Sequence, residues 1–268
     1  MDGLLIVDKP SGPTSHDLVA RLRRALHEKR IGHTGTLDPM ASGVLALVVG
    51  RATRLAQFMA ADVKAYEARV RLGVCTDTYD AEGTPVGAAY TGPWPTAAAV
   101  DAALSAFRGS FLQQPPAYSA KKINGRRSYA IARQQSRDES PEAAPQPAAV
   151  MVTLSECRLI ACEGDLVELS LVSSSGFYVR SLAHDLGQQL GTGAHLASLR
   201  RTRSGAATLD RALPLADLEA DPARGQIALV PMAQMLPDLP AVGLTAAGVT
   251  RVRHGATLGP ADYAAGVP

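Results

Sequence analysis

The sequence predicts an α+β fold, and three observations carry that prediction. An alternating segment, YEARVRLGV at 66–74, has the period of a half-buried strand, and a leucine ladder at 18, 22 and 26 has the period of an amphipathic helix. Strands and helices then follow at irregular spacing, without the regular βαβ alternation of a parallel sheet.

In chain order, LLIVDKP reads as a strand ending at Pro10, and Thr14 to Asp17 forms a capping-box pattern before a helix with Arg21 and Arg24 on its polar face. GHTGTLDPMASG at 32–43 is a bendable loop with one carboxylate, Asp38, set before Pro39. VLALVVG at 44–50 has strand length, RATRLAQFMAA is a short helix, and 66–74 puts Tyr66, Ala68, Val70 and Leu72 on one face. A helix is expected over 96–109, from cap Thr96 to stop Gly109.

The stretch 111–150 differs in kind. It carries QQPPAY, the hairpin dipeptide Asn124-Gly125, a helix around SYAIARQQ and the Pro- and acid-rich DESPEAAPQPAA, and it is expected to project from the core with its last part mobile. Two strands at 151–160 and 165–173 and a helix from Tyr178 to Leu190, with Arg180 in its first turn, complete the pattern. A boundary is expected near 236–242.

The 268-residue chain can bury a full core. No apolar run of about 18 residues and no signal-peptide pattern is present, so a cytoplasmic protein without a membrane partner is expected. Cys75, Cys157 and Cys162 form no CxxC pair, and HExxH, Walker A and complete GxGxxG motifs are missing, so neither metal nor cofactor is expected. Net charge is only +2, but basic residues cluster at 21–30, 121–127, 200–203 and 251–254. Any one cluster reads as a solvated face, whereas four together favour a nucleic-acid partner.

Asp38 precedes a proline, which holds its backbone extended, while Gly32, Gly35 and Gly43 leave room for another chain. Such a loop suits a nucleophile or base. From the loop alone, an Asx-type turn in which the carboxylate caps nearby N–H groups is the stronger explanation.

GHTGTLDPMASGVL resembles the active-site motif of bacterial tRNA pseudouridine-55 synthases. LLIVDKPSGPTSHDLV, KAYEARVRLG, DTYDAEG, QQPPAYSAKKINGRRSYAIAR, SSSGFYVRSLAHDLG and HLASLRRTRSG resemble further motifs of that family, in the family's order, over roughly 1–235. The resemblance implies a pseudouridine-synthase core with a mixed, largely antiparallel sheet flanked by helices, spanning 1–236. It implies an RNA-clamping insertion at 111–150 and a reduced or truncated C-terminal RNA-binding region at 237–268.

The implied activity is isomerisation of uridine 55 in the T loop of tRNA, with base flipping, no cofactor and no obligatory protein partner. Asp38 is the implied catalytic aspartate, and Arg180, in the pattern GxYxR, the cation that keeps it anionic. Tyr66 would stack on the target uracil, although its place on an apolar strand face alone suggests a core aromatic.

His33 would answer for the gap left by the extruded base, whose flipping costs a few kcal/mol. Leu199 would form a pocket wall, Asp80 a secondary positioning group, and Lys122 and Arg126 phosphate contacts. Two other functions compete with this one. A tRNA-folding chaperone could use the same clusters, though binding alone needs no carboxylate beside a polyanion. A glycosidase would need a second acid that no feature nominates.

Overall fold

The computed structural model describes residues 1–59, 63–119, 121–123, 125–137 and 145–264. Two compact units divide the chain, Met1–Pro231 and Met232–Pro268. Among the described residues no helix is long and apolar enough to cross a membrane.

The first unit is organised by one mixed sheet. Its strands are β1 (Gly3–Lys9), β2 (Ile31–His33), β3 (Ser42–Val49), β4 (Lys64–Leu72), β5 (Gly109–Gln113), β6 (Val150–Glu163), β7 (Leu166–Ser173) and β8 (Ala194–Ser204). They run in the order β1-β3-β8-β4-β7-β6-β5, and Leu213–Pro214 extends the sheet beyond β1 while β2 pairs with β3. All of these pairings are antiparallel except β3 with β8 and β1 with Leu213–Pro214.

Local chemistry explains the helices that flank this sheet. Helix α1 (Ser15–Ala25) begins in the expected capping box, where Thr14 accepts from the Asp17 backbone N–H and Asp17 accepts from that of Thr14. It buries Leu18, Val19 and Leu22, each worth about 1.5–3 kcal/mol relative to an exposed side chain. Helix α2 (Ala97–Leu104) is capped by Thr96 and ends five residues earlier than expected. A 3-10 turn, Ser105–Phe107, follows it, and Gly109 at φ +86° opens β5. Helix α3 is Ser128–Arg137, and α4 is Val179–Gln189 with Tyr178 as its N-cap residue.

Strand β4 alternates as its sequence requires, with Tyr66, Ala68, Val70 and Leu72 buried and Glu67, Arg69 and Arg71 exposed. Three features differ from the sequence expectation. RATRLA is mostly 3-10, Gly50–Leu55, with a short α turn at Ala56–Met59. Residues 111–113, expected to project from the core, belong to the sheet, paired with 150–152.

The third difference is β8 itself, a central strand that HLASLRRTRS does not advertise. Beyond Gln113, Lys122–Ile123 pairs with Arg126–Arg127 around Gly125, while Asn124 and the 138–144 part of DESPEAAPQPAA lie outside the described residues. In the second unit, helix Ala246–Arg253 is capped by Thr245 and carries Arg251 and Arg253 in its last turn.

Candidate active site

Two buried cations strap the Asp38 loop. Lys9, at the end of β1 and fully buried, donates to the carbonyls of Pro10 (2.9 Å), Pro39 (3.2 Å) and Ala41 (2.6 Å). Arg201, on β8 and 2% exposed, donates to Val44 (2.7 Å), Thr36 (3.3 Å) and Gly35 (3.1 Å). Ser15 Oγ exchanges bonds with both the carbonyl and the N–H of Leu37, and Gly12 N–H reaches Pro39 O at 2.8 Å.

Gly43, at φ +100°, lets the loop rejoin the sheet, because a Cβ there would lie 2.2 Å from the Arg201 carbonyl oxygen. Backbone carbonyls of the loop are thus met by charged donors.

The strapped loop holds Asp38 against Arg180. Asp38 is about one-third exposed and Arg180 is buried; Nε lies 2.9 Å from Oδ2, and Nη2 donates to Oδ1 at 3.3 Å. The same guanidinium donates from Nη1 to Thr78 O (3.0 Å) and from Nη2 to Tyr118 O (2.9 Å), and Nη1 lies 3.6 Å from Asp80 Oδ2.

Arg180 can do this because α4 starts where it must. Gln113 accepts from Tyr178 N–H at 2.8 Å and donates to its carbonyl at 3.0 Å, while Ser181 Oγ donates to Gln114 O. Asp80 is itself fixed by Thr78 Oγ1 at 2.6 Å and by the Glu82 N–H at 3.1 Å. One arginine therefore serves two acids, and neither carboxylate is buried without a cation.

Tyr66 stands opposite Arg201 in the β4–β8 register, 9% exposed. Burial raises its hydroxyl pKa, while the charge of Arg201 and its hydrogen bond to the hydroxyl pull the other way, and the charge of Asp38 adds to the rise. The phenol is therefore protonated near neutral pH and lies within the electrostatic reach of Asp38. Burial lowers Lys9 from 10.5 to about 8, against the opposing pull of Asp38 and Glu82. Exposed Glu82 is raised, first by desolvation and then by Asp80 and Asp38. The site is thus a partly open carboxylate ringed by buried cations, able to meet an electrophilic carbon or take a proton while a neutral phenol stands by.

The structure brings together Asp38, Arg180, Asp80 and Tyr66 of the residues singled out in sequence. Leu199 is buried and pairs with Ala68, two residues from Tyr66 on the same strand face. His33 is half-buried on β2, its pKa lowered first by desolvation and then by Arg201 and His16. Its Nδ1 has no hydrogen-bond partner among the described residues. Arg126 is exposed in the small hairpin and donates to Gln134 at 2.9 Å, and among the described residues it makes no hydrogen bond to the Asp38 cluster. Lys122 lies in the same hairpin, with its side chain outside those described.

Sequence reasoning missed Lys9 and Arg201. Arg201 was hidden in a charge run, RRTR, that reads as a solvated face, and Lys9 follows an apolar run at the point where Pro10 ends the strand. A lysine immediately after LLIVD was the available signal, since a strand end facing a loop is where carbonyls need donors.

A family model described as TruB family pseudouridylate synthase (N terminal domain) matches residues 23–179, and one described as tRNA pseudouridylate synthase B C-terminal domain matches 180–236. The tRNA pseudouridine synthase B of Solibacter usitatus (strain Ellin6076) is 46% identical over 257 residues, covering 95% of this chain and 85% of the relative. That of Opitutus terrae (strain DSM 11246 / JCM 15787 / PB90-1) is 42% identical, covering 89% and 96%.

Among solved structures, a Cbf5-Nop10-Gar1 complex contains a chain that superposes with a TM-score of 0.72 at 28% identity, covering 98% of this chain and 70% of that one. A fold built around a mixed sheet, an arginine-paired aspartate in a strapped loop and matches running along most of the sequence have one common explanation: the chain belongs to the TruB family of pseudouridylate synthases.

Proposed function

We propose that the protein isomerises uridine to pseudouridine in tRNA, at position 55 of the T loop, with Asp38 as the essential group. The observation that carries this reading is the Asp38–Arg180 pair, set in a loop whose carbonyls are held by Lys9 and Arg201. The reaction breaks N1–C1′, turns the uracil, forms C5–C1′, and moves one proton from C5 to N1. Atoms balance within the nucleotide, so no electron or group donor enters.

Asp38 either adds to sugar or base, or takes a ribose proton. In both routes the carboxylate must be anionic, and the Arg180 guanidinium lies 2.9 Å from it. Tyr66 stacks on the extruded uracil, with its hydroxyl available to move the proton, and Leu199 walls the pocket. Asp80 positions Arg180, and His33 answers for the vacancy in the T loop. Lys122 and Arg126 contact phosphates of the T arm.

Incubating a uridine-containing T-arm RNA with wild type and Asp38→Asn tests the reading. Pseudouridine is expected from wild type alone, while both proteins bind RNA. Binding without product from wild type would make the protein a tRNA-folding chaperone, and product from Asp38→Asn at the wild-type rate would remove Asp38 from the mechanism.

A further inference from the structure

Tyr79 is a bulky residue in the left-handed region, at φ +66°, in the turn that supplies Thr78 O and Asp80 to Arg180. A non-glycine residue of that size takes such a backbone only where its surroundings over-determine it. Four contacts do so. Its ring lies face to face on His184, with centroids 3.9 Å apart and planes 12° from parallel. Its carbonyl accepts from Leu196 N–H of β8 at 2.9 Å, and its N–H donates to Thr76 O at 3.2 Å. Its hydroxyl accepts from Gln146 at 3.0 Å.

His184 sits four residues after Arg180 on α4, so the two side chains leave one face of the helix a turn apart. One grips the flanking positions 78 and 80 of the turn through charge and a carbonyl; the other grips position 79 by stacking. Burial lowers the His184 pKa, which keeps the imidazole neutral and suited to lie on a phenol ring.

The geometry points to Tyr79 and His184 as a positioning pair: their stack holds the 78–80 turn in register with α4, so that Arg180 meets Asp38 in a fixed orientation. Neither side chain touches the reacting atoms. This rests on the isomerase reading above. Without the ring on His184, a residue at φ +66° has less to hold it there, and the turn can relax away from Arg180.

The test uses the full-length protein with single-turnover kinetics on a T-arm RNA and, independently of turnover, the Arg180 Nε–H signal in NMR, identified by its absence in Arg180→Lys. His184→Ala is expected to slow pseudouridine formation about three- to tenfold, the range set by an aromatic pair, with RNA affinity held within about twofold. The Nε–H signal should broaden or vanish.

His184→Phe, which restores a stacking ring, is expected to recover both rate and signal. A purely structural role would shift thermal stability but not give this ring-dependent recovery. An unchanged Arg180 signal in His184→Ala, or His184→Phe as slow as His184→Ala, would overturn the inference. If His184→Ala does not fold, Tyr79→Ala gives the same two readouts. If wild type makes no pseudouridine, the isomerase reading fails, and the Arg180 signal alone upholds or overturns the positioning pair.

Discussion

Lys9 and Arg201 reach the Asp38 loop from two different strands and divide its carbonyls between them, Lys9 taking Pro39 and Ala41 and Arg201 taking Gly35, Thr36 and Val44. The acid between them is held by its backbone on both sides, and its side chain is left to Arg180.

Lys9 gives a pH signature. Its folded pKa of about 8 lies below the ordinary 10.5, so between those values the unfolded chain keeps a proton that the folded chain has released. Stability due to Lys9 is therefore fully present above pH 10.5 and is lost as pH falls through 8. The stability gap between wild type and Lys9→Met should widen by up to about 3 kcal/mol from pH 7.5 to 10.5. Urea titrations of both proteins across that range check it, and a gap that narrows would contradict the lowering of the Lys9 pKa by burial.

Gly43→Ala should be costly although it adds one methyl. The left-handed φ contributes about 1–3 kcal/mol, and the overlap with the Arg201 carbonyl adds to that. Denaturant midpoints report the loss, and activity per folded molecule should fall as well, because relieving the overlap shifts the strap.

Arg180→Lys keeps the charge and loses the fork. An ammonium cannot serve Thr78 O, Tyr118 O and two carboxylates together, so about 10²–10³-fold in turnover and about 1–3 kcal/mol in stability should be lost. Single-turnover rates and thermal unfolding measure the two separately.

Tyr66→Phe retains the ring and removes the hydroxyl. If that hydroxyl moves the proton, turnover falls about 10²–10⁴-fold while stability changes by only about 1 kcal/mol, the worth of its bond with Arg201. Near-normal turnover would leave Tyr66 as a stacking surface alone.

Much of this was legible in the residues. The capping box at Thr14 and the alternation from Tyr66 to Leu72 are local signals, fixed by hydrogen bonding within four residues and by the pleat of a single strand. Strand β8 was not legible, because shifts in its register with β4 between Leu196 and Ser198 and between Arg201 and Arg203 break the period of two. The same irregular strand carries a buried arginine, which composition counts as surface charge.

His33, expected in a loop, ends a three-residue strand too short to show periodicity. The motifs named Asp38 and Arg180, but their 2.9 Å approach depends on Gln113 and Ser181 fixing the start of α4, contacts that no local pattern announces.

The Asp38–Arg180 pair joins residues 142 positions apart in the chain. Its consequence is temporal. During synthesis Asp38 is made early, yet Arg180 and then Arg201 follow only after residues 114–149 and β7 have been laid down. A pair so distant in sequence closes late, once the intervening strands have docked. Until then the acid has Lys9 beside it but neither Arg180 nor Arg201, so the site is complete only when most of the sheet exists.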